Sequence, residues 1–256
     1  MLGIILAAGR GSRMGTLTAD RPKALVRLAG KTLLDWQLEA LSRAGVTEVT
    51  VVTGYLAQRF EDRPVRTLHN PRWQESNMVR SLMCAGGILA MRAAVLSYSD
   101  IVYHPDAVNA VIGCQAPIAV AYDRCWESLW RERFGDPLRD AESFLARQGF
   151  IADIGRRVDR LAEVQGQYMG LLGIRPQGWE AIAAQLARMP AADVDALDMT
   201  ALLRTLLQAG QRIAAVPVEG KWCEVDSQAD AALYERRLAE SASTGRPWAH
   251  DWRMAA

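Results

Sequence analysis

The sequence is poor in several groups that proteins use for chemistry. Its 256 residues include only three histidines, His69, His104 and His250. Histidine is the usual general base near neutral pH, and neither His69 nor His104 has an evident triad partner. Of the four cysteines, Cys84, Cys114, Cys125 and Cys223, none stand at C-x-x-C spacing. Neither a zinc site nor a disulfide framework is expected, and all four are expected to be free, mostly buried thiols. There is no charge excess either: 30 Lys and Arg face 29 Asp and Glu, a formal net charge of +1. With no global field to attract nucleic acid or an anionic membrane, any phosphate binding has to come from a local site. No apolar run approaches the ~18 residues that span a bilayer. The first run, Leu2 to Ala8, has no basic residue before it and is shorter than a signal-peptide core. The expected location is the cytoplasm.

What is present is ordinary in bulk and specific in pattern. Half the residues are hydrophobic and 23% are charged, enough apolar material for a sizeable core. The length suits one large domain with a modest insert. Short apolar runs read as strands at Leu2–Ala7, Glu48–Thr53, Val65–His69, Ala93–Tyr98 and Pro117–Tyr122. Between them, apolar residues at helical spacing predict helices at Thr32–Ala44, Asn77–Ala90 and Pro105–Ile112. Repeated β-α-β units imply a mostly parallel sheet with helices on both faces, a Rossmann-like three-layer α/β/α fold. Two short runs around Gly149, Ala141–Gln148 and Phe150–Arg157, predict a small hairpin insert. A strand follows at Gln167–Ile174, helices at Trp179–Arg188 and Met199–Gln208, a strand at Arg212–Val218, and a last helix at Gln228–Ala242. We therefore expect one domain over residues 1–242, with a nucleotide-binding half (1–122) and an acceptor-binding half (123–242), then a tail over 243–256. Trp248 and Trp252 in that tail leave packing on the body or on a second copy, as a homodimer, both open.

Open parallel sheets bind ligands at the carboxyl ends of their strands, which directs attention to the loop after the first strand. Ala8, Gly9, Arg10, Gly11, Ser12 and Arg13 combine small residues with cations, and no acid intervenes between Arg10 and Asp20. Glycine permits the dihedrals that turn successive N–H groups toward an anion. The loop, with Lys23 just beyond it, is a phosphate cradle on chemical grounds. Two rival phosphate loops fail. The pattern G-x-x-x-x-G-K-[ST] is absent. The dinucleotide pattern G-x-G-x-x-G meets Met14 where its last glycine belongs, and the second strand ends without the acid that reads a ribose. An oxidoreductase is therefore disfavoured.

The stretch L-A-A-G-R-G-S-R-M at 6–14, followed by R-P-K-A-L at 21–25, resembles the signature of the nucleotidyltransferase superfamily that activates sugar phosphates and alcohol phosphates, with its nucleotide-diphospho-sugar transferase-like fold. The resemblance is closer to the CTP:phosphocholine cytidylyltransferase-like branch and extends over most of the chain, through H-N-P-R-W-Q-E-S-N-M-V-R-S-L from residue 69, Y-S-D at 98–100, A-Y-D-R-C-W-E-S-L-W-R-E-R-F from 121, D-A-E at 140–142, G-Q-Y-M-G-L-L at 166–172 and K-W-C-E-V-D at 221–226. It implies that Lys23 and Arg13 act on the phosphates and that Leu6, Ala7, Ala8, Gly9, Arg10, Gly11, Ser12, Asn77 and Ser81 contact the nucleotide. Asp100 and Asp226, with Glu224 as a weaker third ligand, are implied to hold Mg²⁺. Tyr122, Asp123, Trp126, Trp130, Glu142 and Tyr168 fall where the family places its acceptor. Aromatic faces there would suit an ammonium group, at roughly 0.5–2 kcal/mol each, although core packing accounts for any one tryptophan equally well. Asn77 is as apt for capping a helix as for touching a ligand.

The implied reaction is transfer of CMP from CTP to a small phosphate or phosphonate acceptor, phosphocholine- or 2-aminoethylphosphonate-like, with release of pyrophosphate. Two other readings stay open: a sugar-1-phosphate nucleotidyltransferase using UTP or another nucleotide, and a non-catalytic nucleotide-binding regulatory domain. Retention of Lys23, Asp100 and Asp226 together speaks against the second.

Overall fold

The computed structural model describes residues 1–253. The chain begins with β1 (Leu2–Ala7), the phosphate-type loop, a small hairpin of β2 (Arg27–Leu28) and β3 (Lys31–Thr32), and helix α1 (Leu33–Arg43). Thr32 caps α1 through a reciprocal bond pair with Asp35. Then come β4 (Val49–Thr53), β5 (Arg66–His69), α2 (Met78–Cys84), α3 (Gly86–Leu89), β6 (Ala94–Tyr98), β7 (Ile101–Tyr103), α4 (Pro105–Gly113) and β8 (Ile118–Asp123). The second half runs α5 (Trp126–Phe134), β9 (Glu142–Arg147), β10 (Phe150–Arg157), β11 (Gln167–Ile174), α6 (Pro176–Leu186), α7 (Ala191–Ala196), α8 (Met199–Gln208), β12 (Ala214–Val218), β13 (Trp222–Glu224) and α9 (Gln228–Thr244).

One nine-stranded sheet holds these together, in the order β5-β4-β1-β6-β11-β8-β12-β10-β9. All of its strands run one way except β11 and β10. The sheet is buried on both faces because successive side chains point to opposite sides. In β1, Ile5 and Ala7 join the core layer that includes α1 and α9, while Ile4 and Leu6 join the layer that includes α2 and α8. This is the predicted three-layer α/β/α architecture. The hairpin insert forms β9 and β10, turning at Gln148 (φ 52°) and Gly149 (φ 78°). Two left-handed residues give the tight turn that suits the natural twist of paired strands.

Two expectations change, and one left open takes a definite form. The helix expected over Asn77–Ala90 is two helices, broken at Ala85 (φ −90°, ψ 6°). Gly86 follows the break and lies so close to Trp179 that a Cβ there would stand 2.6 Å from the indole ring. Of the four free thiols only Cys223 is buried, because the other three sit at helix ends or on α2 beside solvent. The tail packs on its own body: Trp252 is buried edge-on against Trp36, and Trp248 lies tilted against Tyr234. Among the described residues, no helix is long and apolar enough to cross a membrane.

Candidate active site

A second, two-stranded sheet sets the site. β7 and β13 pair antiparallel, with Ile101 opposite Glu224 and Tyr103 opposite Trp222. Val225 N donates to Asp100 O at 2.8 Å. That pairing brings Asp100, at the turn between β6 and β7, against Asp226, just past β13. The turn is held from below by Gln37, fully buried on α1, whose amide donates to Tyr98 O (3.0 Å) and Ile101 O (2.7 Å).

Lys23 enters between the two acids. Its Nζ stands 2.8 Å from Asp100 Oδ2 and 2.6 Å from Asp226 Oδ1. Gly11 makes this possible. Its φ is +69°, and a Cβ there would stand 3.0 Å from the Lys23 side chain, so the loop folds over the lysine stem only because it carries glycine. Burial works against the lysine's charge, yet Asp100 and Asp226 outweigh it and hold its pKa above the ordinary value. Burial likewise opposes ionisation of Asp226, but Lys23, Arg13 and Arg133 overcome it and hold that carboxyl below its ordinary value. Arg13 reaches Asp226 Oδ2 at 3.1 Å. Glu224 behaves differently: burial, then the neighbouring Asp226, push it up to about 7, although Arg133 lies 3.1 Å away.

Asp100, Glu224 and Asp226 can each offer a carboxylate oxygen, all within 4.8 Å of one another. Asp100 Oδ1 is buried and without a hydrogen-bond partner. An orphaned carboxylate oxygen in an all-oxygen donor set is what a hard divalent cation takes. The chemistry of the three acids therefore fits such an ion.

Above them opens a cavity of about 280 Å³ lined by Leu6, Ala8, Gly9, Gly11, Ser12 and Arg13 from the loop, Trp73, Ser76, Asn77, Met78 and Ser81 around α2, and Lys23, Tyr98, Ser99 and Asp100. The structure thus gathers most of the residues expected to meet the nucleotide. Two stand apart. Ala7 faces the opposite core layer, because strand alternation turns it away from the cavity. Arg10 lies over the Tyr55 ring, 5.5 Å from its centroid. Asn77 fills both readings offered for it: it lines the cavity, and its Oδ1 accepts from Met78 N as the cap of α2.

The expected acceptor residues divide. Tyr168 is in place, its hydroxyl 3.1 Å from that of the cavity residue Tyr98. Burial, with smaller contributions from Asp198, Asp100 and Glu142, keeps the Tyr168 phenol protonated. Trp126 and Trp130 do share one face of α5, but that face points inward and they are 3% and 0% exposed. Trp130 stacks on Trp222 on one side and meets the Arg133 guanidinium on the other, so no face is left for an ammonium. Asp123 is also fully buried. Its Oδ1 accepts from Cys125 N and Gly220 N and so serves the backbone. Tyr122 stacks on Phe144 and closes over Gly166, where a Cβ would stand 2.4 Å from its ring. Trp126 and Trp130 are interior packing residues, Asp123 is a buried backbone acceptor and Tyr122 is partly buried, because the apolar stripe of α5 and the end of β8 face the core.

Sequence reasoning missed Arg133 and Asp230. Arg133, 1% exposed at its side chain, binds Glu224 and makes a two-point pair with Asp230 at 2.9 and 3.3 Å. Asp230 Oδ2 in turn accepts from Asp226 N and Ser227 N, fixing the backbone under the acid. The available signal was phase: Arg133 lies three residues after Trp130, so a cation shares the apolar stripe of the helix.

Comparison with known proteins agrees with this geometry. The chain is 32% identical to the CTP:phosphoglutamine cytidylyltransferase of Campylobacter jejuni over 249 residues, 90% of this chain and 97% of that one. Over a shorter stretch, 39% of this chain and 42% of the relative, it is 36% identical to the 2-aminoethylphosphonate cytidylyltransferase of Lancefieldella rimae. Its fold is that of the CTP:phosphocholine cytidylyltransferase from Streptococcus pneumoniae, with a TM-score of 0.70 at 20% identity over 93% of this chain and 98% of that one. Residues 3–245, from the first strand through α9, match the MobA-like NTP transferase domain, and the chain belongs to that nucleotidyltransferase family.

Proposed function

We propose that the protein is a cytidylyltransferase that moves CMP from CTP onto a phosphate or phosphonate oxygen of a small acceptor, with Mg²⁺ as cofactor. The observation that carries this reading is Lys23 bridging Asp100 and Asp226 on the floor of a cavity walled by the glycine loop. The relatives act, by their names, on phosphoglutamine and on 2-aminoethylphosphonate with CTP, which supports the donor and the class of acceptor.

The acceptor oxygen attacks the α-phosphorus, a new P–O bond forms, and the bond to the bridging oxygen breaks as pyrophosphate leaves with the electron pair. A phosphate whose second pKa is about 6 is largely ionised at neutral pH, so no protein base is required. None of the three histidines lines the cavity. The loop amides from Ala8 to Ser12 and the cationic groups of Arg13 and Lys23 hold the triphosphate and offset the charge that grows in transfer. Leu6, Met78 and Ser81 line the same cavity. Bound at Asp100 and Asp226, with Glu224 beside them, Mg²⁺ would add further charge neutralisation on the phosphates. In this reading Tyr168, bonded to the cavity residue Tyr98, and Glu142 meet the acceptor body. With the tryptophans withdrawn into the core, that side offers hydroxyl and carboxylate groups, which suit an acceptor bearing N–H donors, amide or ammonium.

Pyrophosphate release with each of four nucleoside triphosphates, against phosphoglutamine, phosphocholine, 2-aminoethylphosphonate and glucose-1-phosphate, tests the reading. Turnover should appear with CTP and a nitrogen-bearing acceptor. Preference for UTP with the sugar phosphate would overturn it in favour of a sugar-1-phosphate uridylyltransferase.

A further inference from the structure

The strand that carries Glu224 and leads to Asp226 begins in unusual backbone. Gly220 (φ +63°) and Lys221 (φ +51°) both lie in the left-handed region. For a lysine this costs about 1–2 kcal/mol, and such strain persists only where the surroundings over-determine it. Three hydrogen bonds do so. Gly220 N donates to the buried Asp123 Oδ1 at 2.7 Å, His104 N donates to Lys221 O at 3.0 Å, and Lys221 N donates to Ala249 O at 2.7 Å. Gly220 must be glycine, because a Cβ would stand 2.4 Å from Ala249 O. The C-terminal segment thus lies directly on the start of β13.

The contact continues along the strand. His250 is 1% exposed. Its Nδ1 lies 3.2 Å from Trp222 O and 3.6 Å from Asp123 Oδ2, both acceptors, so Nδ1 carries the proton. Its Nε2 lies 3.4 Å from Ser128 Oγ. One residue on, Cys223 Sγ donates to His250 O. Asp123 Oδ2 has no other partner, so the imidazole is what this buried carboxylate oxygen faces. Trp252 then anchors the segment against Trp36 on α1. The family match ends at residue 245, so this strap lies beyond the matched domain.

We propose that residues 247–253 are a positioning strap for the acids of the site, and that His250 is its key positioning residue. It touches neither nucleotide nor acceptor. Through Trp222 O it fixes the strand two residues before Glu224 and four before Asp226, and through Asp123 it ties that strand to β8. Partners one shell out from a ligating group typically change metal affinity or activity by 10–100-fold, and a strap at one further remove belongs at the low end.

The inference rests on the nucleotidyl-transfer reading, and its test separates the two. The full chain is compared with His250→Ala, His250→Asn, His250→Gln and Asp226→Asn, measuring thermal unfolding, Mn²⁺ affinity by electron paramagnetic resonance without nucleotide, and kcat and KM for CTP. Asparagine places an N–H where Nδ1 stands, whereas glutamine places one where Nε2 stands. His250→Ala and His250→Gln should weaken Mn²⁺ binding and lower kcat by about tenfold, with KM for CTP within about twofold, and His250→Asn should recover most of both. If the alanine variant does not fold, the asparagine and glutamine variants decide the matter. Wild-type Mn²⁺ affinity and kcat in His250→Gln, or equal defects in the asparagine and glutamine variants, would overturn the strap. Full Mn²⁺ binding in Asp226→Asn would instead overturn the metal site itself.

Discussion

Two groups of acids, one on the floor of the cavity and one beside the Tyr98–Tyr168 hydroxyl pair, live under different conditions. On the floor, Asp100 and Asp226 are met by Lys23 and Arg13, with Arg133 behind them. At the rim marked by the Tyr98–Tyr168 hydroxyl pair, Glu142 feels the charge of Asp198, and among the described residues no salt bridge reaches it, although Thr200 and Arg204 favour its ionised form. Its carboxyl is raised by desolvation and then by Asp198, even though the residue as a whole is exposed. Asp198 spends one oxygen capping α8 through Ala201 N. A compensated acid is pre-organised to hold a cation and hand it to phosphate. An uncompensated acid attracts whatever hydrogen-bond donor or positive group arrives. The proposed function puts the same residue type to catalysis on the floor and to acceptor choice at the rim, and its neighbours make the difference.

The floor should break most completely. Asp100→Ala, Asp226→Ala and Lys23→Ala are each expected to lower pyrophosphate release with CTP by about 10³-fold, the scale of removing a principal charge-stabilising group. Single-turnover assays at saturating CTP check this, and near-normal rates would remove the floor from catalysis. The rim should respond in binding alone. Glu142→Gln combined with Asp198→Asn is expected to raise KM for a nitrogen-bearing acceptor about tenfold, with KM for CTP unchanged, equivalent to ~1.4 kcal/mol. An equal loss for CTP would place the pair on the nucleotide instead.

A smaller effect lies in the proton balance of the floor. In the metal-free protein Glu224 is pushed up to about 7 from an ordinary 4.5. Between those values the folded chain keeps a proton that the unfolded chain has lost. Stability therefore falls as pH rises through this window, by at most about 1.4 kcal/mol per pH unit, and levels off above 7. Asp226 is shifted the other way, so its contribution is lost only as pH falls below the ordinary carboxylate range. Urea midpoints with chelator present, from pH 5 to 7.5, should slope downward less steeply in Glu224→Gln than in the wild type. The remaining slope comes from Asp123, Asp140 and Glu142, which are also raised, against His250, which is lowered and acts in the opposite sense.

The two groups also differed in how far the amino-acid order disclosed them. The floor was legible because its chemistry is local. Gly11, Arg13 and Lys23 lie within one short loop, and a glycine-rich loop after a buried strand has few other uses. Asp100 and Asp226 were readable as strand-end acids, but the pairing of β7 with β13 that joins them is a long-range contact that spacing does not encode. The rim was legible only in part: Glu142 and Tyr168 came from the family resemblance and not from their own spacing. Tyr98 appears in the sequence only as a strand end within the Y-S-D match, and Asp198 precedes a helix that it caps in the structure. The aromatic segment misled for a physical reason: i, i+4 spacing puts Trp126 and Trp130 on one face, but only the packing of α5 against β13 and α9 says that this face is the inner one.

That reversal yields the gentlest and most diagnostic substitution. Trp126 is 3% exposed and meets Trp130 edge-on, with ring centroids 6.2 Å apart. If its role is packing, Trp126→Phe removes buried ring surface without touching the cavity. It should then cost about 1–2 kcal/mol, lowering Tm by roughly 2–8 °C for a domain of this size, with KM for the acceptor within about twofold. If the indole instead met the acceptor, the order would invert, with acceptor KM rising several-fold at nearly constant Tm. The contrast works because α5 carries its charge and its apolar stripe on the same turn: Arg133 can support the floor only while Trp130 and its neighbours stay inside. A tryptophan that turned outward to greet an ammonium would withdraw the packing that holds the floor in place, so the fold cannot use this face for both.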